Sequence, residues 1–122
     1  MDTTRALRLW PEPAAPATAR DYVRTACALL PRPVIDDACL LVSELVTNGV
    51  RHARTMLTVA VDCDGDRVSV AVHDDSAAAV APRPDLSPAD ESGRGLALVE
   101  AVARAWGVVT GDTGKTVWFR LP

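Results

Sequence analysis

Leu40-Leu-Val-Ser-Glu-Leu-Val-Thr-Asn-Gly-Val-Arg-His-Ala53 decides how the rest of the chain is read. With the residues just before it, this stretch carries an apolar stripe at helical spacing: Val34, Ala38, Leu41, Val42, Leu45 and Val46. Gly49 falls on the same side, where a missing side chain admits a close neighbour. The spacing predicts a helix from about Val34 to Ala53. Glu44 and Asn48 stand one turn apart at the edge of the stripe. A carboxylate beside a carboxamide offers oxygens to a divalent cation and its waters, or a general base beside a metal ligand. An amphipathic helix also carries such polar shoulders with no chemistry attached. His52, a further turn along, rotates toward the apolar stripe and reads as a packing or helix-end residue.

Ahead of this helix, "ALRLW" at 6–10 reads as a short strand that the Pro/Ala stretch "PEPAAPAT" cannot continue. Ala19, Tyr22, Val23, Ala26 and Leu30 then recur at helical spacing, with Pro31 and Pro33 as stops. Behind it the period changes from helix to strand. Leu57, Val59, Val61 and Cys63 alternate with Thr58, Ala60 and Asp62, "DGD" at 64–66 turns the chain, and Val68, Val70 and Val72 form the inward face of a second strand. Residues 77–92 are rich in Ala, Pro and acidic residues without a sustained period, which suits a lid or binding loop. "GRG" at 93–95 opens a third helix expected to reach Trp106, and "GVVTG", "DTG" and "KTVWFRL" read as a closing pair of strands.

The chain has 122 residues, 48% of them hydrophobic, enough for one compact domain over residues 1–122. Its net charge of −3 comes from 13 basic and 16 acidic residues, and the basic ones are scattered, so there is no electrostatic footprint for nucleic acid. No apolar run approaches the roughly 20 residues that span a bilayer, and the N-terminus lacks the pattern of a signal peptide. A cytoplasmic protein without membrane or nucleic-acid partners is expected. Cys27, Cys39 and Cys63 lie among apolar neighbours without metal-ligand spacing and read as reduced core residues.

Beyond Glu44 and Asn48, two features carry candidate chemistry and a third only imitates it. "TGKT" at 113–116 imitates the end of a P-loop, but position 109 is valine where that motif needs glycine, and a strand rather than a helix follows. Asp74 continues the inward alternation of Val68, Val70 and Val72, so its carboxylate needs donors. A strand-end turn could supply backbone N–H groups, and an adenine amino group could supply another. Gly93-Arg94-Gly95 ahead of a helix offers backbone N–H groups, a favourable dipole and no Cβ obstruction, a combination suited to phosphate.

These features occur in a fixed order: Glu-x-x-x-Asn on a helix, a strand ending in Asp, a lid-like loop, Gly-x-Gly-Leu opening a helix, and Gly-Lys-Thr on a strand. That order resembles the ATP-binding domain shared by gyrase, the ninety-kilodalton chaperones, histidine kinases and mismatch-repair ATPases. "LLVSELVTNGVRHA", "GRGLALVEAVARAWGV" and "GKTVWFRL" look most like the stand-alone anti-sigma-factor serine kinases of actinobacteria. The resemblance implies an α+β fold, a two-layer sandwich whose mixed, mostly antiparallel sheet is covered on one face by about three helices, with a lid over about 77–94. It further implies ATP and Mg²⁺ as cofactors, and a sigma factor and an antagonist protein as partners. Homodimerisation, common among relatives, is implied as well.

By the same resemblance Glu44 is the general base toward a serine of the antagonist, and Asn48 a Mg²⁺ ligand. Asp74 receives the adenine amino group, with Thr116 supporting that contact through water. Gly93, Arg94, Gly95 and Leu96 belong to the phosphate-side loop, and Ser76 stands at the first glycine position of the usual Asp-x-Gly-x-Gly. Here the chain reads Asp74-Asp75-Ser76-Ala77-Ala78, with neither glycine. That departure supports an alternative in which the domain sequesters a partner without catalysis. The catalytic fragment of a histidine kinase is disfavoured, because no helical hairpin presents a phosphoacceptor histidine.

Overall fold

The computed structural model describes residues 4–76 and 91–122, with side chains in the second stretch from Leu96 onward. Strand β1 (Thr4–Leu9) leads through the proline-rich segment into helix α1 (Ala15–Ala26). Pro16 lies at the start of α1, where its missing N–H leaves no helical bond unmade. Pro33 plays the same part for helix α2 (Arg32–Asn48), so it opens the second helix rather than only ending the first.

Helix α2 does not run regularly to Ala53. At Gly49 it widens into a single π turn, Gly49–Ala53, closed by Arg54 in the left-handed region at φ 55° with its N–H on the Gly49 carbonyl at 3.2 Å. Gly49 explains why the chain comes so close to the sheet here. A Cβ at this position would lie 2.7 Å from Cδ2 of Leu57, the first residue of strand β2 (Leu57–Asp64).

Strand β2 turns through Gly65, at φ 65°, into strand β3 (Arg67–Asp74). Helix α3 spans Glu91–Val102, strand β4 Ala105–Gly111 and strand β5 Gly114–Leu121. The third helix therefore stops short of Trp106. That residue sits in β4 opposite Phe119, and the Arg104 N–H bonds to the Arg120 carbonyl at 2.9 Å. Pairing with β5 overrides the helical spacing of the sequence at this point.

The five strands form one sheet in the order β1-β2-β3-β5-β4, and every ladder is antiparallel. Leu57, Val59, Val61, Val68, Val70, Val72, Val117, Phe119 and Leu121 project from one face of the sheet and are buried. Against them lie Ala38, Leu41, Val42, Leu45 and Val46 of α2, with α1 contributing Ala19 and Val23 and α3 contributing Val99. Each valine, leucine or phenylalanine among them contributes about 1.5–3 kcal/mol by leaving water, so this interlayer core holds the fold together. Arg20 of α1 donates to the Ser43 hydroxyl of α2 at 2.7 Å, which fixes the two helices side by side. All three cysteines are free, and Cys27 and Cys39 are buried. The Cys27 and Cys63 sulfurs stand 3.6 Å apart. Burial, reinforced by Cys63, pushes the Cys27 thiol up to about 12.

Among the described residues, the other face of the sheet carries no helix. A hollow of about 300 Å³ on this face is lined by Ala60, Asp62, Ser69, Ala71, Trp118 and Arg120 among others. Among the described residues, no helix is long and apolar enough to cross a membrane.

Candidate nucleotide site

Asp74 is the only polar or charged residue buried among the described ones, at 6% exposure. It ends β3 on the helix-covered face, in line with Val68, Val70 and Val72. The carboxylate Oδ1 accepts the Ser76 N–H at 3.0 Å, an Asx turn that bends the chain away from the sheet. No other hydrogen bond reaches this carboxylate among the described residues. One oxygen is thus used by the turn, and the other makes no hydrogen bond among the described residues. The Asp75 N–H donates to the Thr55 hydroxyl at 3.0 Å, tying the turn to the segment that follows the π helix.

Gly114 faces this turn from β5. It has φ 140°, is buried, and a Cβ there would collide with the Asp74 carbonyl oxygen. Glycine is required twice over, by conformation and by close approach. In the β3–β5 register Asp74 stands opposite Lys115, and His73 stands opposite Thr116.

Thr116 is therefore on the face of the sheet opposite to Asp74. Its hydroxyl meets His73 Nδ1 at 2.8 Å, and the structure does not bring it together with Asp74. Asp75 also turns toward that side. One of its oxygens lies 3.2 Å from Arg8 Nη2 and the other 3.4 Å from His73 Nε2. The extra negative charge that the sequence places beside Asp74 is thus matched locally, by groups exposed enough that the pairing contributes little to stability.

Glu44 and Asn48 lie on successive turns of α2, and both are half-buried at the edge of its apolar stripe. Among the described residues neither makes a hydrogen bond or ion pair. Asn48 is the last α-helical residue, next to Gly49, which packs on Leu57; Leu57 in turn stands opposite Asp74 in the β2–β3 ladder. One continuous line of contact therefore runs from the end of α2 to the end of β3. The wide turn after Asn48 releases the helix from α geometry at that point, a feature often found at functional sites.

Gly93, Arg94 and Gly95 lie inside α3, which begins at Glu91, rather than ahead of it. Of the lid expected over about 77–94, residues 77–90 and the Arg94 side chain fall outside the described residues, and its last residues, from Glu91, belong to α3. Leu96 is half-buried against the core. No group of three or more His, Cys, Asp or Glu among the described residues could hold a metal by itself. A divalent cation here would have to bring other oxygens, such as phosphates and waters, to Asn48. The sequence shows Lys115 only as part of Gly-Lys-Thr and gives no role to Arg8 or Thr55, because the β5 and β1 registers place the first two and the segment between the π turn and β2 places the third.

Residues 9–121 match the histidine kinase-like ATPase domain family. The chain belongs to that family. Its fold is of the ATPase type, and ATP is the cofactor that membership implies. No curated protein matches the sequence. Among solved structures, the crystal structure of the RsbU and RsbW domains of Rv1364c from Mycobacterium tuberculosis superposes with TM-score 0.69 at 23% identity, covering 96% of this chain and 32% of that one. The present chain spans about a third of that protein's length, and at this identity the likeness concerns the fold.

Proposed function

We propose that this chain is an ATP- and Mg²⁺-dependent protein serine/threonine kinase of anti-sigma-factor type, which phosphorylates an antagonist protein and binds a sigma factor. The observation that carries the nucleotide part is Asp74: a nearly buried carboxylate in an ATPase-type fold, with one oxygen satisfied by its own turn and one open to a donor. The adenine amino group is such a donor. The likeness to a structure that contains an RsbW domain, together with the wording of α2 and α3, favours the kinase class within the family. The reading includes a single ATP-binding domain over 1–122, a cytoplasmic setting and a homodimer.

In this reading Asp74 fixes the base, and the turn at Ser76 holds its carboxylate in place. Gly93, Arg94, Gly95 and Leu96 meet the phosphates at the start of α3, where the helix dipole favours negative charge. Asn48 supplies a neutral oxygen to Mg²⁺, which when bound neutralises charge on the transferring group. Glu44, one turn away, would accept the proton of the substrate hydroxyl, and bound ATP would supply the phosphoryl group that this hydroxyl takes up, with ADP as the leaving group.

A second reading keeps the fold and drops the chemistry: a module that sequesters a partner. The missing glycines after Asp74 favour it, since they restrict backbone approach to a nucleotide.

Calorimetric titration with ATP, with and without Mg²⁺, beside phosphate incorporation into candidate antagonists separates the two. Glu44→Ala should bind ATP normally while transfer falls about 10²–10⁴-fold. Asn48→Ala should weaken ATP binding chiefly when Mg²⁺ is present. Tight ATP binding with no transfer to any antagonist, and undiminished sigma-factor binding by Glu44→Ala, would leave the sequestering module.

A further inference from the structure

Asp74 has two direct cross-strand partners on its own face of the sheet, Leu57 in β2 and Lys115 in β5. Directly opposed residues on one face hold their Cβ atoms about 5 Å apart. Leu57 is fully buried and apolar. Lys115 follows the inward alternation of Val117, Phe119 and Leu121, is half-buried, and makes no hydrogen bond or ion pair with Asp74 or any other described residue. A lysine stem is long enough to carry its ammonium past an opposing carboxylate to the space in front of it.

That placement matters for what a base would meet. The edge of adenine presents an amino donor next to a ring-nitrogen acceptor. A carboxylate satisfies the first and leaves the second without a partner, and an unpaired acceptor in a dry site is costly. Of the two residues that flank Asp74 in the sheet, Lys115 alone has a donor to offer.

We propose that Lys115 is a base-reading residue: its ammonium donates to the ring nitrogen adjacent to the amino group that Asp74 accepts. This rests on the reading of Asp74 as the adenine site. Together the two side chains form an acceptor–donor pair complementary to the adenine edge. They select ATP over purine nucleotides that lack either the amino group or the neighbouring ring nitrogen.

The test is calorimetric titration of wild type, Lys115→Met and Lys115→Arg with Mg-ATP and with the deaza analogue that has C–H in place of that ring nitrogen. Wild type should bind ATP about ten- to a hundredfold more tightly than the analogue, the scale of a hydrogen bond from a charged donor. Lys115→Met should lose that preference and bind both ligands alike, and Lys115→Arg should recover part of it. If Lys115→Met binds more weakly but keeps the wild-type ratio between the ligands, Lys115 acts on the phosphates or the fold, and base reading is overturned. Equal binding of both ligands by wild type overturns it as well and leaves Asp74 as the adenine site. Failure of wild type to bind ATP at all removes the nucleotide reading and this proposal together.

Discussion

Replacing Asp74 by Asn isolates the interaction on which the nucleotide reading depends, because the change conserves shape and alters only charge and one set of donors. In the structure Oδ1 accepts the Ser76 N–H at 3.0 Å, and an asparagine carbonyl can accept the same bond. The residue is buried, so the amide NH₂ then occupies the position of the second carboxylate oxygen. There it would meet the adenine amino group donor to donor. Stability without nucleotide should change by less than about 1 kcal/mol, since the turn survives. ATP affinity should fall by the value of a hydrogen bond to a charged group, about 1.5–3 kcal/mol, which corresponds to a factor of roughly ten to a hundred. Calorimetry with Mg-ATP and with the triphosphate of unsubstituted purine riboside completes a double-mutant cycle. Wild type should bind the purine analogue about as weakly as the variant binds ATP, and the two losses should not add. A well-folded Asp74→Asn protein that binds ATP like wild type refutes the assignment. A variant that melts far below wild type shows instead that the carboxylate mainly serves the turn.

Other changes test the frame around this site. Gly114→Ala should destabilise the fold by about 2–4 kcal/mol, because alanine is strained at φ 140° and its Cβ would collide with the Asp74 carbonyl. The melting temperature should then fall by roughly 8–16 °C in thermal denaturation followed by circular dichroism. Gly49→Ala should be milder, since its added methyl meets side-chain methyls of Leu57 rather than backbone and its φ is not in the left-handed region; a larger loss than at Gly114 would contradict this comparison. Cys27, buried and pushed up to about 12, favours the neutral thiol in the folded state, so its contribution is fully present below the unfolded thiol range near 8.5. That contribution is lost as pH rises toward 12. Melts between pH 8 and 11 should therefore decline less steeply in Cys27→Ala than in wild type, and parallel declines would show that the thiol is not responsible.

What the sequence reveals of this protein divides along the reach of the forces involved. The stripe of Leu41, Val42, Leu45 and Val46 and the alternation of Leu57 to Val61 and Val68 to Val72 are local periodicities, and the elements they predict are present. Asp74 could be recognised because it breaks an apolar alternation at an inward position, a conflict visible without knowing any neighbour. Pro33 and Trp106 misled for the opposite reason. Their places depend on what the chain does next, an N-terminal turn in one case and pairing with β5 in the other.

Thr116 and Lys115 make the same point at the site itself. They are adjacent in the chain, so they face opposite sides of the sheet, and the parity of the β3–β5 register alone decides which of them shares a face with Asp74. The register sets Lys115 there and hands Thr116 to His73, and no count along a single strand could have shown it. Asp75 depends on longer range still, since its compensating Arg8 lies 67 residues away on β1. A negative charge that looks unfavourable for nucleotide binding in the sequence is, in the fold, turned from the helix-covered face and matched across the sheet. The departure from Asp-x-Gly-x-Gly therefore weighs on the site through lost backbone freedom rather than through the charge of Asp75.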